Sequence, residues 1–179
     1  GGDGTDTLSL DVSASIADLA FTNVSGVENV TLAATSTGQS LTLGAAAQAA
    51  GIVTVTAGAS ASNVTASAYT AGLTFNASTT AAVNDTVVSG TGDDVFVFAN
   101  STLVTTDVIT ASTGTDTIQL DNSYGAVSAA ITMSNVTGVE RITLTDSNGT
   151  STGTAQSNTL TITGTATTGD YGTSSITID

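Results

Sequence analysis

The stretch GGDGTDTLSLDVSASIADLAFTNVSGVENVTLA at residues 1–33 returns at residues 112–145 as STGTDTIQLDNSYGAVSAAITMSNVTGVERITLT. Asp6 of the first copy matches Asp116 of the second, and Glu28 matches Glu140. The first pair is 110 positions apart and the second 112, so the second copy contains two inserted residues. Because a duplicated unit is typical of repeat architectures, we expect one continuous array over residues 1–179 that builds surfaces rather than a single enclosed active site.

The charge balance of the chain is strongly acidic. It contains 15 Asp and Glu residues, one basic residue (Arg141) and no His, which gives a net charge of -14. A chain this poor in cations is not expected to bind nucleic acid through phosphates. It must keep its carboxylates apart or neutralise them with metal ions. The absence of Cys excludes disulfides, thiolate metal sites and Cys nucleophiles, and no apolar run approaches the roughly 20 residues of a membrane span.

Short runs alternate apolar residues with Thr or Ser, which is the period-2 pattern of a strand with one buried face. The chain has no Pro, so every residue can donate its backbone N–H to a ladder. This pattern predicts an all-β fold, either an antiparallel sandwich or, as we favour, a parallel β-solenoid (β-helix or β-roll). Residues 44–50, GAAAQAA, predict either a helix or a wide turn of small residues. The predicted strands are Thr7–Leu10, Asn29–Leu32, Leu41–Leu43, Ile52–Thr56, Leu73–Phe75, Thr86–Val88, Val95–Phe98, Val108–Thr110, Thr117–Leu120, Arg141–Thr145, Leu160–Thr163 and Ser175–Ile178.

Three segments follow, in whole or in part, the nonapeptide G-G-x-G-x-D-x-U-x, in which U is a large apolar residue. Residues 1–9 match every specified position, residues 89–97 match from the second glycine onward, and residues 111–119 keep one glycine. Glycine lets the chain turn tightly at positive φ, so that several carbonyl oxygens converge, and the Asp adds a carboxylate. Converging oxygen ligands suit Ca²⁺. The predicted metal-binding residues are Gly2, Asp3, Gly4, Asp6, Gly92, Asp94, Gly114 and Asp116.

The spacing of the acids predicts which of them lie together. Asp94 and Asp116 are 22 residues apart, and so are Asp85 and Asp107. If one coil of the solenoid takes about that length, each pair stacks on adjacent coils and could surround a shared ion. An Asp before a strand can also simply close its turn by accepting backbone N–H groups. For Asp85 and Asp107, which lack glycine neighbours, we favour the turn interpretation.

Glu28 and Glu140 precede a strand in both copies, and we interpret them first as structural anchors that bond loop N–H groups. A role as calcium ligands is the alternative. Arg141 is interpreted as a surface residue or as the partner of a nearby acid rather than as a catalytic cation.

The nonapeptides and the unit G-G-x-G-T-D-T-L followed by G-V-E-x-x-x-L resemble the RTX-type calcium-binding β-roll of secreted bacterial proteins. The whole chain is more closely similar to S-layer proteins and large surface adhesins that combine such motifs with Ala/Thr/Gly-rich β-solenoid. This resemblance implies type I export, calcium-triggered folding and self-assembly on the bacterial cell surface. Only the first nonapeptide is complete, so we expect few calcium sites.

These observations predict a structural segment of an S-layer protein that binds Ca²⁺ and associates with copies of itself or with neighbouring repeats. A cell-surface polysaccharide is a further expected partner. The alternative function is a calcium-stabilised repeat module of a secreted RTX-type adhesin. We do not expect an enzyme, because the chain has no His, Cys or Lys and no carboxylate pair stands out as a glycosidase pair.

Overall fold

The computed structural model describes residues 1–11, 13–33, 38–80, 83–99, 102–121, 130–145, 161–163 and 177–178. These residues form a nearly all-β structure, as the alternating sequence predicts. The strands are β1 (Thr7–Leu10), β2 (Ser15–Ile16), β3 (Asn29–Leu32), β4 (Gln39–Thr42), β5 (Thr54–Thr56), β6 (Ser62–Thr65), β7 (Thr74–Asn76), β8 (Thr86–Val88), β9 (Val95–Ala99), β10 (Val108–Thr110), β11 (Thr117–Asp121), β12 (Ala130–Thr132), β13 (Val136–Thr137), β14 (Arg141–Thr145), β15 (Thr161–Thr163) and β16 (Thr177–Ile178). A 3₁₀ helix spans Asp18–Phe21, and one α-helix, α1, spans Ala45–Ala50.

The strands alternate between two parallel sheets, so the chain is a β-solenoid in which one coil adds one strand to each sheet. Sheet A has the order β1-β3-β5-β7-β9-β11-β14-β16, and sheet B has the order β13-β10-β8-β6-β4-β2. Strands β12 and β15 form a separate parallel pair. Since every strand of sheets A and B pairs in parallel with the strand one coil away, the solenoid prediction is confirmed over the sandwich alternative.

The core lies between the two sheets and consists of apolar side chains stacked in register from coil to coil. The pairs Val30–Val55, Phe75–Phe96 and Ile118–Ile142 belong to one continuous inner row of sheet A. In β5 and β7 the buried residue stands between two partly exposed ones, as period 2 requires. All four Phe residues of the chain are buried, so the few aromatic side chains fill the middle of a narrow core.

The two copies of the duplicated segment occupy equivalent places in the solenoid. Strand β1 pairs with β3 in the first copy, and β11 pairs with β14 in the second. The order of sheet A places β11 five coils after β1. The inserted residues of the second copy lengthen one coil, because Thr7 pairs with Asn29 whereas Thr117 pairs with Arg141.

Most of the predicted strands are present, and β1, β3, β8, β10 and β14 have the predicted bounds. The prediction missed the short strands β2, β12 and β13. It also missed β6, in which Ser62 and Asn63 precede a single apolar residue that pairs with its neighbours. Residues 45–50 form a helix rather than a wide turn, and Gly51 ends that helix with a φ of 99°. Leu160, Ser175 and Ile176 of the last two predicted strands lie outside the described residues.

Candidate functional site

The acidic residues concentrate at the corners where the chain enters a strand. Each of the following acids is the residue directly before a strand of its sheet. For sheet A they are Asp6, Glu28, Asp94, Asp116 and Glu140, which we call the A column. For sheet B they are Asp85 and Asp107, which we call the B column.

In the A column, every carboxylate except that of Asp6 accepts a hydrogen bond from a backbone N–H of the coil before it. Oδ1 of Asp94 is 2.8 Å from the nitrogen of Leu73, and Oδ1 of Asp116 is 2.8 Å from the nitrogen of Asp94. Oε2 of Glu140 continues the series at 2.9 Å from the nitrogen of Asp116. The predicted stacking of Asp94 on Asp116 is therefore confirmed.

The duplicated glutamates have the same contact in both copies. In the first copy, Oε2 of Glu28 is 2.8 Å from the backbone nitrogen of Asp6. In the second copy, Oε2 of Glu140 is 2.9 Å from the backbone nitrogen of Asp116. The interpretation of these glutamates as structural anchors that bond loop N–H groups is confirmed. Each one ties the start of its strand to the corresponding start one coil earlier.

The B column uses both oxygens of each carboxylate. Asp85 accepts the N–H of Ser62 in the previous coil at 3.0 Å and that of Ser78 in its own loop at 3.2 Å. Asp107 accepts the N–H of Asp85 at 2.8 Å and that of Val104 at 2.8 Å. The predicted stacking of Asp85 on Asp107 is confirmed, and these contacts agree with the turn interpretation of both residues.

Asp94 and Asp116 differ from the B column because each keeps one buried oxygen without a partner. Their side chains are 1% and 0% exposed, and Oδ2 of each makes no hydrogen bond. The buried hydroxyl of Ser89 lies beside Asp94 and lowers the pKa of that carboxyl as a hydrogen-bond donor does, although neither its oxygen nor Oδ2 of Asp94 has a hydrogen bond of ordinary geometry. Burying an ionised oxygen with no donor is costly, so this corner has an uncompensated negative charge.

The pKa values at this corner follow from burial and from like charges. The pKa of Asp116 is raised to about 6, mainly by burial and further by the negative charges of Asp94, Glu140 and Asp93, against the lowering effect of the hydrogen bond from Asp94. Burial likewise raises the pKa of Asp94, against the lowering effect of Ser89. The charged groups acting on Asp116 are thus all carboxylates.

The first nonapeptide has a different geometry from the other two. Asp6 turns its Oδ2 back onto the N–H of Gly2 at 2.7 Å, within its own loop. Asp3 and Gly4 are exposed, and Gly4 has the positive φ of 107° that the motif predicts. Asp6 therefore closes a local turn on an exposed end of the solenoid, apart from the buried carboxylates.

The glycines of the other two nonapeptides are explained by the close contact between coils. A Cβ on Gly92 would lie 2.3 Å from the carbonyl carbon of Ala71, and one on Gly114 would lie 2.5 Å from the carbonyl oxygen of Gly92. Gly114 has a φ of 142°, whereas Gly92 does not adopt the positive φ that we expected of a motif glycine. Coil packing alone requires both glycines, independently of any metal.

The residues present fit a cation only in part. The two free oxygens of Asp94 and Asp116 are hard, buried and unneutralised, which are the properties a Ca²⁺ ligand needs. Over the described ranges, however, no group of three or more Asp, Glu, His or Cys side chains is arranged to hold a metal ion. A bound cation would need carbonyl oxygens or water for most of its coordination.

Two further acids that the sequence analysis did not single out also bond backbone across coils. Asp18 accepts the N–H groups of Gly44, Ala46 and Ala47 at 2.7, 3.0 and 2.9 Å and so caps the first turn of α1. Asp93 accepts the N–H of Thr115 at 2.7 Å. Asp93 is 22 positions before Thr115, which equals the spacing of the stacked Asp pairs, so its contact could have been predicted from the coil length. Asp18 lies 26 positions before Gly44, a spacing that does not recur among the acids.

Comparison with known protein families, curated proteins and solved structures finds no match to this chain. Within the described residues, no helix is long and apolar enough to cross a membrane.

Proposed function

We propose that this chain is a structural segment of a bacterial surface-layer protein, which folds with calcium outside the cell and self-assembles on the cell surface. The observation that carries the proposal is the A column, in which successive coils are joined through carboxylates and two buried oxygens remain unneutralised. A surface layer needs a stiff, extended element rather than a reactive pocket. A parallel stack with backbone and side-chain bonds between neighbouring coils is such an element.

Calcium has a specific part in this proposal. Asp94 and Asp116 would hold the ion through the oxygens that have no donor, and the ion would supply the positive charge that the corner lacks. Because these oxygens are buried between coils, the cation would bind as the coils close, which couples binding to folding. Binding to the native state alone would stabilise the fold by about 2.7 kcal/mol at a hundredfold excess over Kd.

The outer surface of sheet A supports self-association. From β1 to β9, the outward positions of this sheet are Thr, Ser, Asn, Val and Ala, with no charged side chain. The column carboxylates lie at the corners before the strands instead. Two copies of this acidic chain could therefore approach through their sheet faces while their carboxylates stay apart.

The test is a calcium titration of the chain followed by circular dichroism and light scattering. We expect calcium to raise the melting temperature and then to produce ordered assemblies. Asp94→Asn and Asp116→Asn should each lower calcium affinity while leaving the strand content at saturating calcium nearly unchanged. If the two residues share one ion, the double variant should lose little beyond either single one.

Asp11→Asn is the matched control, because Asp11 is exposed and outside both columns, and it should titrate like the wild type. An unchanged melting temperature between chelator and millimolar calcium would overturn the calcium part of the proposal.

The alternative function is a repeat module of a large secreted adhesin, since the same motifs resemble both classes. A chain that is stabilised by calcium but stays monomeric and binds a surface or a polysaccharide would favour this alternative. We propose no catalytic role for either class, because the chain lacks His, Cys and Lys.

A further inference from the structure

The B column is a pair of buried carboxylates that the proposed function does not use. Asp85 and Asp107 are each 2% exposed and lie in consecutive coils at the start of β8 and β10. Each carboxylate joins its own loop to the coil before, because it accepts one N–H from each. Each of the four carboxylate oxygens of the pair thus accepts one backbone N–H, and none is without a partner.

The groups that act on the pair are backbone N–H donors, uncharged side chains and the carboxylates of the pair themselves. Asp107 is the charged group that acts on Asp85, and it does so as a like charge. Asp107 itself is surrounded by backbone, with Val104 and Asp85 donating their N–H groups to it. Outside the pair, the neighbouring side chains Asn84 and Thr106 bond to each other across the same two coils and carry no charge.

We propose that Asp85 and Asp107 form a proton-binding brace, which makes the solenoid more stable in mildly acidic solution than at neutral pH. The geometry favours this dependence because two carboxylates are buried one above the other between coils. A proton on either one removes a buried charge and the repulsion between them.

The sign of the effect follows from the two protonation equilibria. Burial raises the pKa of Asp85 and of Asp107 above the ordinary value of 3.8, in spite of their hydrogen bonds. The folded chain therefore binds protons more readily than the unfolded chain. The resulting stabilisation is fully present below pH 3.8 and is lost as the pH rises through the folded-state pKa values.

The test is urea unfolding of the 179-residue chain between about pH 4 and pH 8, in chelator so that calcium plays no part. We expect the midpoint urea concentration of the wild type to fall as the pH rises. In the Asp107→Asn variant the midpoint should fall less with pH, because this variant takes up as much as about one proton fewer on folding than the wild type. Asp11→Asn, which removes one exposed charge, should follow the wild type.

The difference between these two variants is decisive because burial also raises the pKa of Asp94 and Asp116, which act in the same direction. If Asp107→Asn and Asp11→Asn showed equal pH dependence, the brace would be refuted. Should Asp107→Asn fail to fold, carboxyl-carbon NMR titration of the wild type replaces it. Asp85 and Asp107 should then titrate above the ordinary carboxyl value of 3.8, and titration of both at or below that value would overturn the proposal. Neither result bears on calcium-dependent assembly.

Discussion

The carboxylate of Asp116 accepts a hydrogen bond from the backbone N–H of Asp94, which lies 22 residues earlier and one coil away, with 2.8 Å between Oδ1 and the nitrogen. The same relationship joins Asp107 to Asp85 at the other corner. A side chain of one coil thus satisfies a backbone donor of the previous coil at the point where the chain turns into a strand. The 22-residue spacing of these acids therefore equals the length of one coil, and it is this spacing that stacks each acid on its partner.

Loss of a column carboxylate should destabilise the coil before it. Glu140→Ala removes the acceptor of the Asp116 N–H and should lower the free energy of unfolding by about 1–2 kcal/mol, measured by urea denaturation. Glu140→Gln keeps an acceptor oxygen and removes a like charge near Asp116, so it should cost less than Glu140→Ala. Equal stability of both variants and the wild type would show that the column contributes nothing to folding.

A hydroxyl beside Asp116 should stabilise the chain. Ser89 precedes Asp94 by five residues, and Ala111 stands at the corresponding place before Asp116, because Val88 pairs with Thr110. Ala111→Ser would offer a donor to the free Oδ2 of Asp116 and should add about 1 kcal/mol to the free energy of unfolding, measured in chelator.

The reverse substitution, Ser89→Ala, is the matched comparison and should destabilise by less than about 1 kcal/mol, because the Ser89 hydroxyl makes no hydrogen bond of ordinary geometry. It removes the hydroxyl that lowers the pKa of Asp94. A destabilising Ala111→Ser would mean that the space beside the buried Ala111 cannot accept an oxygen atom.

The motif glycines should differ in their tolerance of a side chain, whether or not calcium is present. A Cβ on Gly92 would meet the backbone of the preceding coil, so Gly92→Ala should cost about 1–3 kcal/mol in chelator and in calcium alike. Gly2 belongs to the complete nonapeptide, but a Cβ there meets nothing within 4 Å. Gly2→Ala should therefore leave the melting temperature nearly unchanged. A loss from Gly92→Ala that appeared only in calcium would make this glycine part of a metal site.

Much of the fold could be predicted because its period is local. Alternation in segments such as Thr54-Val55-Thr56 specifies which side chains face the core, and the equal 22-residue offsets specify the stacking of Asp94 on Asp116. Strand β6 escaped prediction because a single apolar residue, Val64, carries its buried face, and its pairing with β4 and β8 supplies the rest.

The contacts of the acids were harder to predict than their positions. The sequence around an Asp in a glycine-rich turn is the same whether its carboxylate accepts an N–H or binds a cation. The role of the carboxylate depends on the coil before it, which presents the N–H of Leu73 to Asp94 and the N–H of Asp94 to Asp116. Asp18 could not be predicted at all, since its partners belong to a helix that interrupts the repeat one coil later.

Asp18 should stabilise the chain with a pH dependence opposite to that of the buried pair. Burial alone would raise the pKa of Asp18, but the hydrogen bonds from Ala47, Ala46 and Gly44 outweigh it and hold that pKa below the ordinary 3.8. The stabilisation is therefore present above pH 3.8 and is lost as the pH falls through the folded-state pKa.

Asp18→Ala removes all three acceptor contacts and should lower the free energy of unfolding by about 1–2 kcal/mol at neutral pH. Urea unfolding at several pH values should show this cost shrinking in acid. A cost that stayed constant into strong acid would mean that Asp18 acts through packing and not through its charged hydrogen bonds.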